Sequence, residues 1–383
     1  MTGSGPRAAA AEGPRGGTAG ESVVVIVDGY GTARHLPGLF AERGHACVHV
    51  HSGREVPEHL LARFRPEAYR ELIAGDGGPS RILPAVAAHR PVAVVAGSPG
   101  ATGVADALAQ ALRLRGNDTL LGDVRRDRYR TAEALRTAGL RTVRQLLIRD
   151  LAGLLAWYAG VGGRVTLETL GGTGSRPAPR IRCEDERDLV AAFRGLVGAV
   201  AEPATPAAAL LARECPPRDR YHVNTVSLDG THHVCDIWHV RPPDRDAAPA
   251  LSRGVLLPRR GPEQDALVLH ALAALDILGL RHGPAHTELA LTPDGPCVLT
   301  VGAHLSGEDL PLLVAGAVGS GQLEWTVDAS VAPQRFFRRA ARDYRRTRSA
   351  AFVRADEGPA RPPVRMSGCS SNSSVRPSST RST

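Results

Sequence analysis

Residues 22–28 read Ser-Val-Val-Val-Ile-Val-Asp, with five β-branched apolar residues in succession. A strand with one wet face alternates apolar and polar side chains, so an unbroken run needs cover on both faces. A parallel sheet with helices packed on each side meets that need. The turn Gly29-Tyr30-Gly31-Thr32 follows, then a helical stretch ending at Gly44, strands over 46–50 and 91–97, and a helix over 105–114. This alternation predicts a doubly wound α/β domain over 22–115. Its first turn invites a dinucleotide, but the third glycine is missing and 46–50 does not end on an acidic residue for the ribose. A tight strand–helix turn is the simpler reading.

The next segments change character. A helix over 127–139 stops at a glycine, strands are expected over 141–148 and 164–170, a turn-rich loop over 171–179, and a helix over 189–200. From 205 onward the pattern turns antiparallel, with strands over 209–215, 221–228 and 231–240. A helix over 263–280 follows. Strands over 285–291 and 296–301 are joined by Thr292-Pro293-Asp294-Gly295, a strong hairpin turn. These segments divide 116–333 into two lobes, 116–204 and 205–333. A basic helix is expected over 334–357. Disorder is expected in the Gly, Ala and Pro leader 1–21 and in the Pro, Ser and Thr tail 358–383. No internal repeat is visible.

Composition removes several chemistries. All 47 basic residues among the 383 are arginine, so lysine Schiff bases, lysine phosphate clamps and lysine general bases are excluded. Aromatics make up only 4%, so the core must be mostly Ala, Leu and Val. The net charge of +8 concentrates at Arg335, Arg338, Arg339, Arg342, Arg345, Arg346 and Arg348. Such a stretch is either a nucleic-acid surface or a solvated helix face, and the scarcity of stacking aromatics argues against a nucleic-acid partner. The six cysteines are far apart, and no apolar run approaches the ~20 residues of a membrane span. A cytoplasmic chain with reduced thiols and no membrane partner is expected. Cys215 and Cys297 read as small core residues.

The richest segment runs over 281–288, Arg-His-Gly-Pro-Ala-His-Thr-Glu, and is followed by the hairpin. Two adjacent antiparallel strands make a platform for carboxylates that hold a metal, and Glu288 qualifies. Its facing strand offers Thr300 instead of a second carboxylate. His282 and His286 have the spacing of helical zinc ligands, but Gly283-Pro284 forbids a helix there. His232 and His233, at a hairpin turn, read as surface residues. The run Asp236-Ile237-Trp238-His239 either lines a cleft or alternates between core and the opposite face.

Taken in order, Val25-Ile26-Val27-Asp28, Arg125-Arg126-Asp127-Arg128-Tyr129, Asn224-Thr225-Val226-Ser227-Leu228-Asp229-Gly230, Cys235-Asp236-Ile237-Trp238 and Gly283-Pro284-Ala285-His286-Thr287-Glu288 resemble the ATP-grasp superfamily. They are most similar to its amino-acid ligase branch, collinearly over 23–328. The resemblance implies an ATP-grasp fold behind a doubly wound N-terminal domain. It also implies ATP and Mg²⁺ as cofactors, and small carboxylate and amine substrates joined through an acyl phosphate.

The resemblance places Arg128 near the nucleotide phosphates, Glu214 at the adenine hinge, Glu288 on the metal and His304 near the acyl-accepting end. It also exposes departures. Glu168 stands where the family has a lysine, Arg176-Pro177 where a small acidic turn is expected, and Arg220 where an acidic residue meets the ribose. Thr300 replaces the second metal carboxylate, and His304 replaces an arginine. Beside a polyanion, the reversed charge at Glu168 corresponds to about 4 kcal/mol of repulsion at ~4 Å and an effective dielectric of ~20. Two readings follow. In one, the chain is a carboxylate–amine ligase with an altered site, in which Arg176 or Arg180 supplies the missing cation and Glu308 or Asp309 reaches the metal. In the other it is a non-catalytic module that binds a small ligand or a protein partner.

Overall fold

The computed structural model describes residues 22–75, 77–170, 180–200, 209–242 and 251–355, with the side chains of 198–200 and 355 left aside. The leader 1–21, the loop 171–179 with Arg176 and Pro177, and the tail 358–383 lie outside the described residues.

The chain begins with β1 (Ser22–Val27), α1 (Leu36–Ala41), β2 (His45–Val50), α2 (Glu58–Leu61), β3 (Glu71–Ile73), α3 (Pro79–Ala88), β4 (Ala93–Ala96) and α4 (Thr102–Ala111). The four strands form a parallel sheet in the order β3-β2-β1-β4. Because β1 is central, its five consecutive apolar side chains are all buried, as their unbroken run demands. One face packs on α3 and α4 through Val86, Ala105 and Leu108. The opposite face packs on α1, and also on residues from much later in the chain, Leu305, Leu323 and Val327. The first turn is closed by packing. A Cβ on Gly29 would fall 2.1 Å from the Tyr69 hydroxyl, and the Gly29 N–H donates to His49 Nε2 at 3.2 Å. The turn is thus packed tightly against Tyr69 and His49.

Next come α5 (Gly122–Arg126), α6 (Arg128–Thr137), β5 (Gln145–Ile148), α7 (Leu151–Val161), β6 (Val165–Thr169), β7 (Arg180–Cys183), α8 (Glu186–Val200) and β8 (Leu210–Glu214). Asp127 caps α6 by accepting from the Arg130 N–H, and Asp150 caps α7 by accepting from the Gly153 N–H. The strands form an antiparallel sheet, β5-β8-β6-β7, covered by α7 and α8. The sequence grouping set β8 with the later strands, but its Leu211 and Ala212 complete this small core. Helix α7 was not anticipated, because its run of Leu, Ala, Trp and Tyr has no helical period to read.

The largest sheet is built from β9 (Arg220–Leu228), β10 (Thr231–Arg241), β11 (Leu251–Leu256), β12 (Gly283–Thr292), β13 (Gly295–Gly302) and β14 (Ala351–Ala355). Its helices are α9 (Pro262–Ile277), α10 (Leu310–Val318), α11 (Gln322–Val331) and α12 (Pro333–Ala340). The strand order is β13-β12-β9-β10-β11-β14. Helix α9 covers one face through Leu267, Ala271 and Leu275 against Val223, Ile237 and Leu289. Asp229 and Gly230, both with positive φ, form the Asp-Gly turn between β9 and β10.

Two expectations fail here. The basic segment 334–357 is not one helix: α12 ends at Ala340, and 351–355 pairs with β11 as an edge strand. Arg335 and Arg339 are held instead on the fully buried Asp328, which Arg43 also reaches at 2.5 Å. Arg335 and Arg339 thus have a structural role, while Arg338, Arg342, Arg345, Arg346 and Arg348 are exposed as a solvated face would be. His232 and His233 are not surface residues either. His232 bonds Ser227 and Asp276, and His233 is buried and stacked on Trp325 with ring centroids 3.6 Å apart. Cys47, Cys183, Cys215, Cys235 and Cys297 are free, and no described helix is long and apolar enough to cross a membrane.

Candidate functional site

A cleft of about 810 Å³ opens between the two antiparallel sheets. Arg180 lines it from the smaller sheet and Arg128 from the start of α6, and His286, Glu288, Thr300 and His304 line it from the larger sheet and the loop after it. Arg54, Gly100 and Thr102 of the first domain also reach it.

Strand register assembles the larger side. Directly opposed residues of antiparallel neighbours share a face, as do residues two apart on one strand. Pairing therefore sets Trp238, His222, Glu288 and Thr300 in one row across β10, β9, β12 and β13. Asp236, Asn224, His286 and Gly302 form the next row. The Asn224 amide donates to Asp236 Oδ1 at 2.5 Å, and its Oδ1 accepts from His286 Nδ1 at 2.6 Å. That acceptor fixes a proton on Nδ1 and turns His286 Nε2 toward Glu288, 3.6 Å from Oε1.

Burial sets the charges. It pushes Asp236 up to about 7, against the hydrogen bond from Asn224. It pushes His222 down to about 4, helped by the neighbouring His286. Burial raises Glu288, but the His286 hydrogen bond and the His222, His286 and Arg220 charges outweigh it and hold the carboxyl at about 2. His304 is pushed down to about 4 by burial, and its Nδ1 donates to the Leu305 carbonyl at 2.8 Å. A Cβ on residue 302 would fall 2.2 Å from His304 Nε2, so only glycine there lets the imidazole fold over the strand.

The smaller side is built around Glu168, whose side chain is only 5% exposed. Its carboxylate pairs with Arg128 at 2.8 Å and Arg180 at 3.0 Å, and Arg213 lies 3.9 Å away. Arg213 is so deeply buried that desolvation lowers it to about 10, against the pull of Glu168. The sequence reading set the Glu168 charge alone against a polyanion. In the folded chain it sits inside a cluster with an excess of positive charge, and Arg128 and Arg180 are partly exposed toward the cleft. Arg180, one of the two cations proposed as substitutes, is in place.

Of the residues singled out from sequence, Arg128, Glu288, Thr300 and His304 meet at the cleft, and Glu168 lies directly behind Arg128. Glu214 stands apart, at the end of β8, where its carboxylate pairs with Arg144 outside the cleft lining. Asp309 pairs with Arg34 at 2.5 Å and Glu308 with Arg354 at 3.2 Å. Four residues escaped sequence reading as site components: His222, Asn224, Arg213 and the pairing role of Asp236. For His222 and Asn224 the signal was the His-x-Asn spacing on β9, matched by His-x-Glu on β12, which sets polar groups on one face.

No family model matches the chain. Its sequence is 26% identical over 339 residues to dapdiamide A synthase of Enterobacter agglomerans, covering 87% of this chain and 79% of that protein. Its fold is similar to L-amino acid ligase from Bacillus licheniformis, with a TM-score of 0.63 and 20% identity over 86% of this chain and 79% of that one. Phosphoribosylglycinamide synthetase from Anaerococcus prevotii gives a TM-score of 0.63 at 11% identity, over 87% and 80% of the two chains. N5-carboxyaminoimidazole synthetase from Staphylococcus aureus, complexed with ADP, gives 0.63 at 10% identity over 86% and 81%. The expected mixed architecture, parallel first and antiparallel later, is the one observed. By fold and by collinear sequence, the chain is similar to the ligase branch of the ATP-grasp superfamily.

Proposed function

We propose that the chain is an ATP- and Mg²⁺-dependent carboxylate–amine ligase that forms an amide bond, with its phosphate grip rebuilt from arginine. The observation that carries this reading is the polarity of one cleft. Arg128 and Arg180 stand on one wall, and Glu288 and neutral His304 on the other. Guanidinium forks suit phosphate oxygens. Mg²⁺ is commonly held through one or two carboxylates together with nucleotide phosphates and waters. Glu288, with the Thr300 hydroxyl opposite it, fits that ion when phosphates complete the shell. When bound, the ion would neutralise charge on the phosphates during transfer.

In this reading the substrate carboxylate takes the γ-phosphoryl group of ATP. The amine then displaces phosphate, giving the amide, ADP and phosphate. The chain's own contribution is positioning and charge. Arg128 and Arg180 orient the phosphates, Glu168 holds both arginines in place, and Arg213 supports Glu168 from behind. His304 Nε2, its lone pair free because Nδ1 donates to Leu305, accepts the proton that the amine loses. The similarity to dapdiamide A synthase supports small carboxylate and amine substrates. A place of work in the cytoplasm is part of the same proposal.

Calorimetric titration with ATP tests this, with and without Mg²⁺, followed by phosphate release across amino-acid pairs. Binding at micromolar strength that requires Mg²⁺, with phosphate released only when both substrates are present, is the expected result. No heat at millimolar ATP would overturn it. The chain would then be a non-catalytic module for another small ligand or for a protein partner.

A further inference from the structure

Glu288 has two imidazole neighbours that a magnesium site does not need. His222 lies directly across from it on β9, and His286 precedes it by two residues on β12, on the same face. One donor atom from each of the three side chains lies within 4.8 Å of the others. Tetrahedral ligands on bonds of ~2.1 Å are about 3.4 Å apart, so small side-chain rotations close the set onto one ion.

Two further observations point to a ligand. His222 is buried, and its Nδ1 has no hydrogen-bond partner among the described residues. A buried ring nitrogen without a partner is costly unless something occupies it. His286, in turn, has the support that metal-bound imidazoles usually have. Its Nδ1–H is engaged by Asn224, which is anchored on Asp236, so Nε2 is the nitrogen turned toward Glu288. Nothing in the phosphate chemistry of the cleft calls for that relay.

We infer that His222, His286 and Glu288 form a binding site for a divalent first-row transition-metal cation, filled without nucleotide. Two nitrogens and one carboxylate oxygen suit Mn²⁺, Fe²⁺, Co²⁺ or Zn²⁺, whereas Mg²⁺ prefers oxygen alone. The site shares Glu288 with the ligase reading, but it does not need ATP to bind.

The test uses the full chain, stripped with a chelator and titrated by calorimetry with Mg²⁺, Mn²⁺, Co²⁺ and Zn²⁺ in the absence of nucleotide. Co²⁺ and Zn²⁺ are expected to bind at least 100-fold more tightly than Mg²⁺, and bound Co²⁺ to show visible ligand-field absorption. His222→Gln and His286→Gln should each weaken Co²⁺ at least tenfold and change that spectrum. Pulsed electron paramagnetic resonance of Mn²⁺ on the unmodified chain should show coupling to imidazole nitrogen, a readout that holds even if a variant misfolds. Transition ions bound no more tightly than Mg²⁺, or Mn²⁺ without nitrogen coupling, would overturn the inference. If Co²⁺ binds with nitrogen coupling while Mg²⁺-ATP gives no heat, the metal site stands and the ligase reading falls. The reverse pattern removes the metal site alone.

Discussion

Glu168 on the four-stranded sheet and Glu288 on the six-stranded sheet flank one cleft, both on strands, and their surroundings could hardly differ more. Glu168 is surrounded by guanidiniums, two of them within 3.0 Å. Glu288 stands beside two imidazoles, with a hydroxyl opposite. An arginine cannot give up its proton, so a carboxylate among arginines stays engaged and serves as a scaffold. His222, held neutral by burial, offers a lone pair, so the carboxylate beside it remains open to a cation. On the proposed reading, the same residue type would position phosphate-binding groups on one wall and receive a cation on the other. Asp328, held by Arg43, Arg335 and Arg339, repeats the first pattern far from the cleft.

The sharpest way to break this contrast is Glu288→Gln. If Glu288 is the cation-binding carboxylate, the variant should lose about 1000-fold in Mg²⁺-dependent ATP turnover while keeping its melting temperature within a few degrees. Phosphate-release rates and thermal melts check both halves. Turnover near that of the unmodified chain would end the proposed role of Glu288.

Glu168→Lys should act on stability first. It places a fourth cation among Arg128, Arg180 and Arg213, and leaves the deeply buried Arg213 with no counter-charge within that cluster. A loss of about 3 kcal/mol is expected, since removing one partner of a buried pair costs roughly that much. Urea unfolding measures it. A chain that gains activity and keeps its stability would show that Glu168 only blocks the phosphate site. Glu168 would then be no scaffold.

The third test asks whether an imidazole among arginines behaves as inert packing. Burial and the nearby Arg339 charge push His233 down to about 3, well below its ordinary value near 6.5. Below about pH 6.5 the unfolded chain takes up a proton that the folded chain refuses, so stability falls with pH until about pH 3. His233→Phe should remove roughly 2 kcal/mol of the stability lost between pH 7 and pH 4.5. Melting curves at the two pH values report it. An unchanged acid loss would mean that other groups, such as the buried His49, dominate.

The smallest expected effect concerns the relay behind His286. Asn224→Ala frees the ring to rotate, and loss of such support commonly weakens a metal 10–100-fold. Co²⁺ titration of this variant should show about a tenfold loss with the ligand set otherwise intact. No loss would mean that His286 needs no help to face Glu288.

Much of the architecture was legible in sequence for reasons that can be named. The unbroken apolar run of β1 demanded a sheet covered on both faces, and the Asp-Gly turn and the 292–295 turn marked two hairpins. What escaped had weak or ambiguous local signals. Strand β3 has three residues, of which only Ile73 is buried. Helix α7 is apolar all round and shows no period. Residues 351–355 follow an arginine-rich stretch and gain their strand identity only from β11. At the cleft, Arg128 and Glu288 belong to motifs that carry the resemblance, and Thr300 and His304 follow the last of them along the chain. The partnership of His222 with Glu288 depends on register between strands about sixty residues apart. The three arginines around Glu168 come from α6, β7 and β8. No local pattern encodes either arrangement.

The cover on β1 also bears on how the chain is made. One face of the first sheet is finished by Leu323 and Val327 of α11, and Arg43 reaches across to Asp328. During synthesis, which runs from the N-terminus, β1 emerges nearly three hundred residues before this second cover. Until α11 leaves the ribosome, apolar side chains around Val24 and Ile26 lack part of their shield. The first domain is thus sequential in its strands but delayed in its completion. A growing chain of this kind would lean on cellular chaperones for most of its translation.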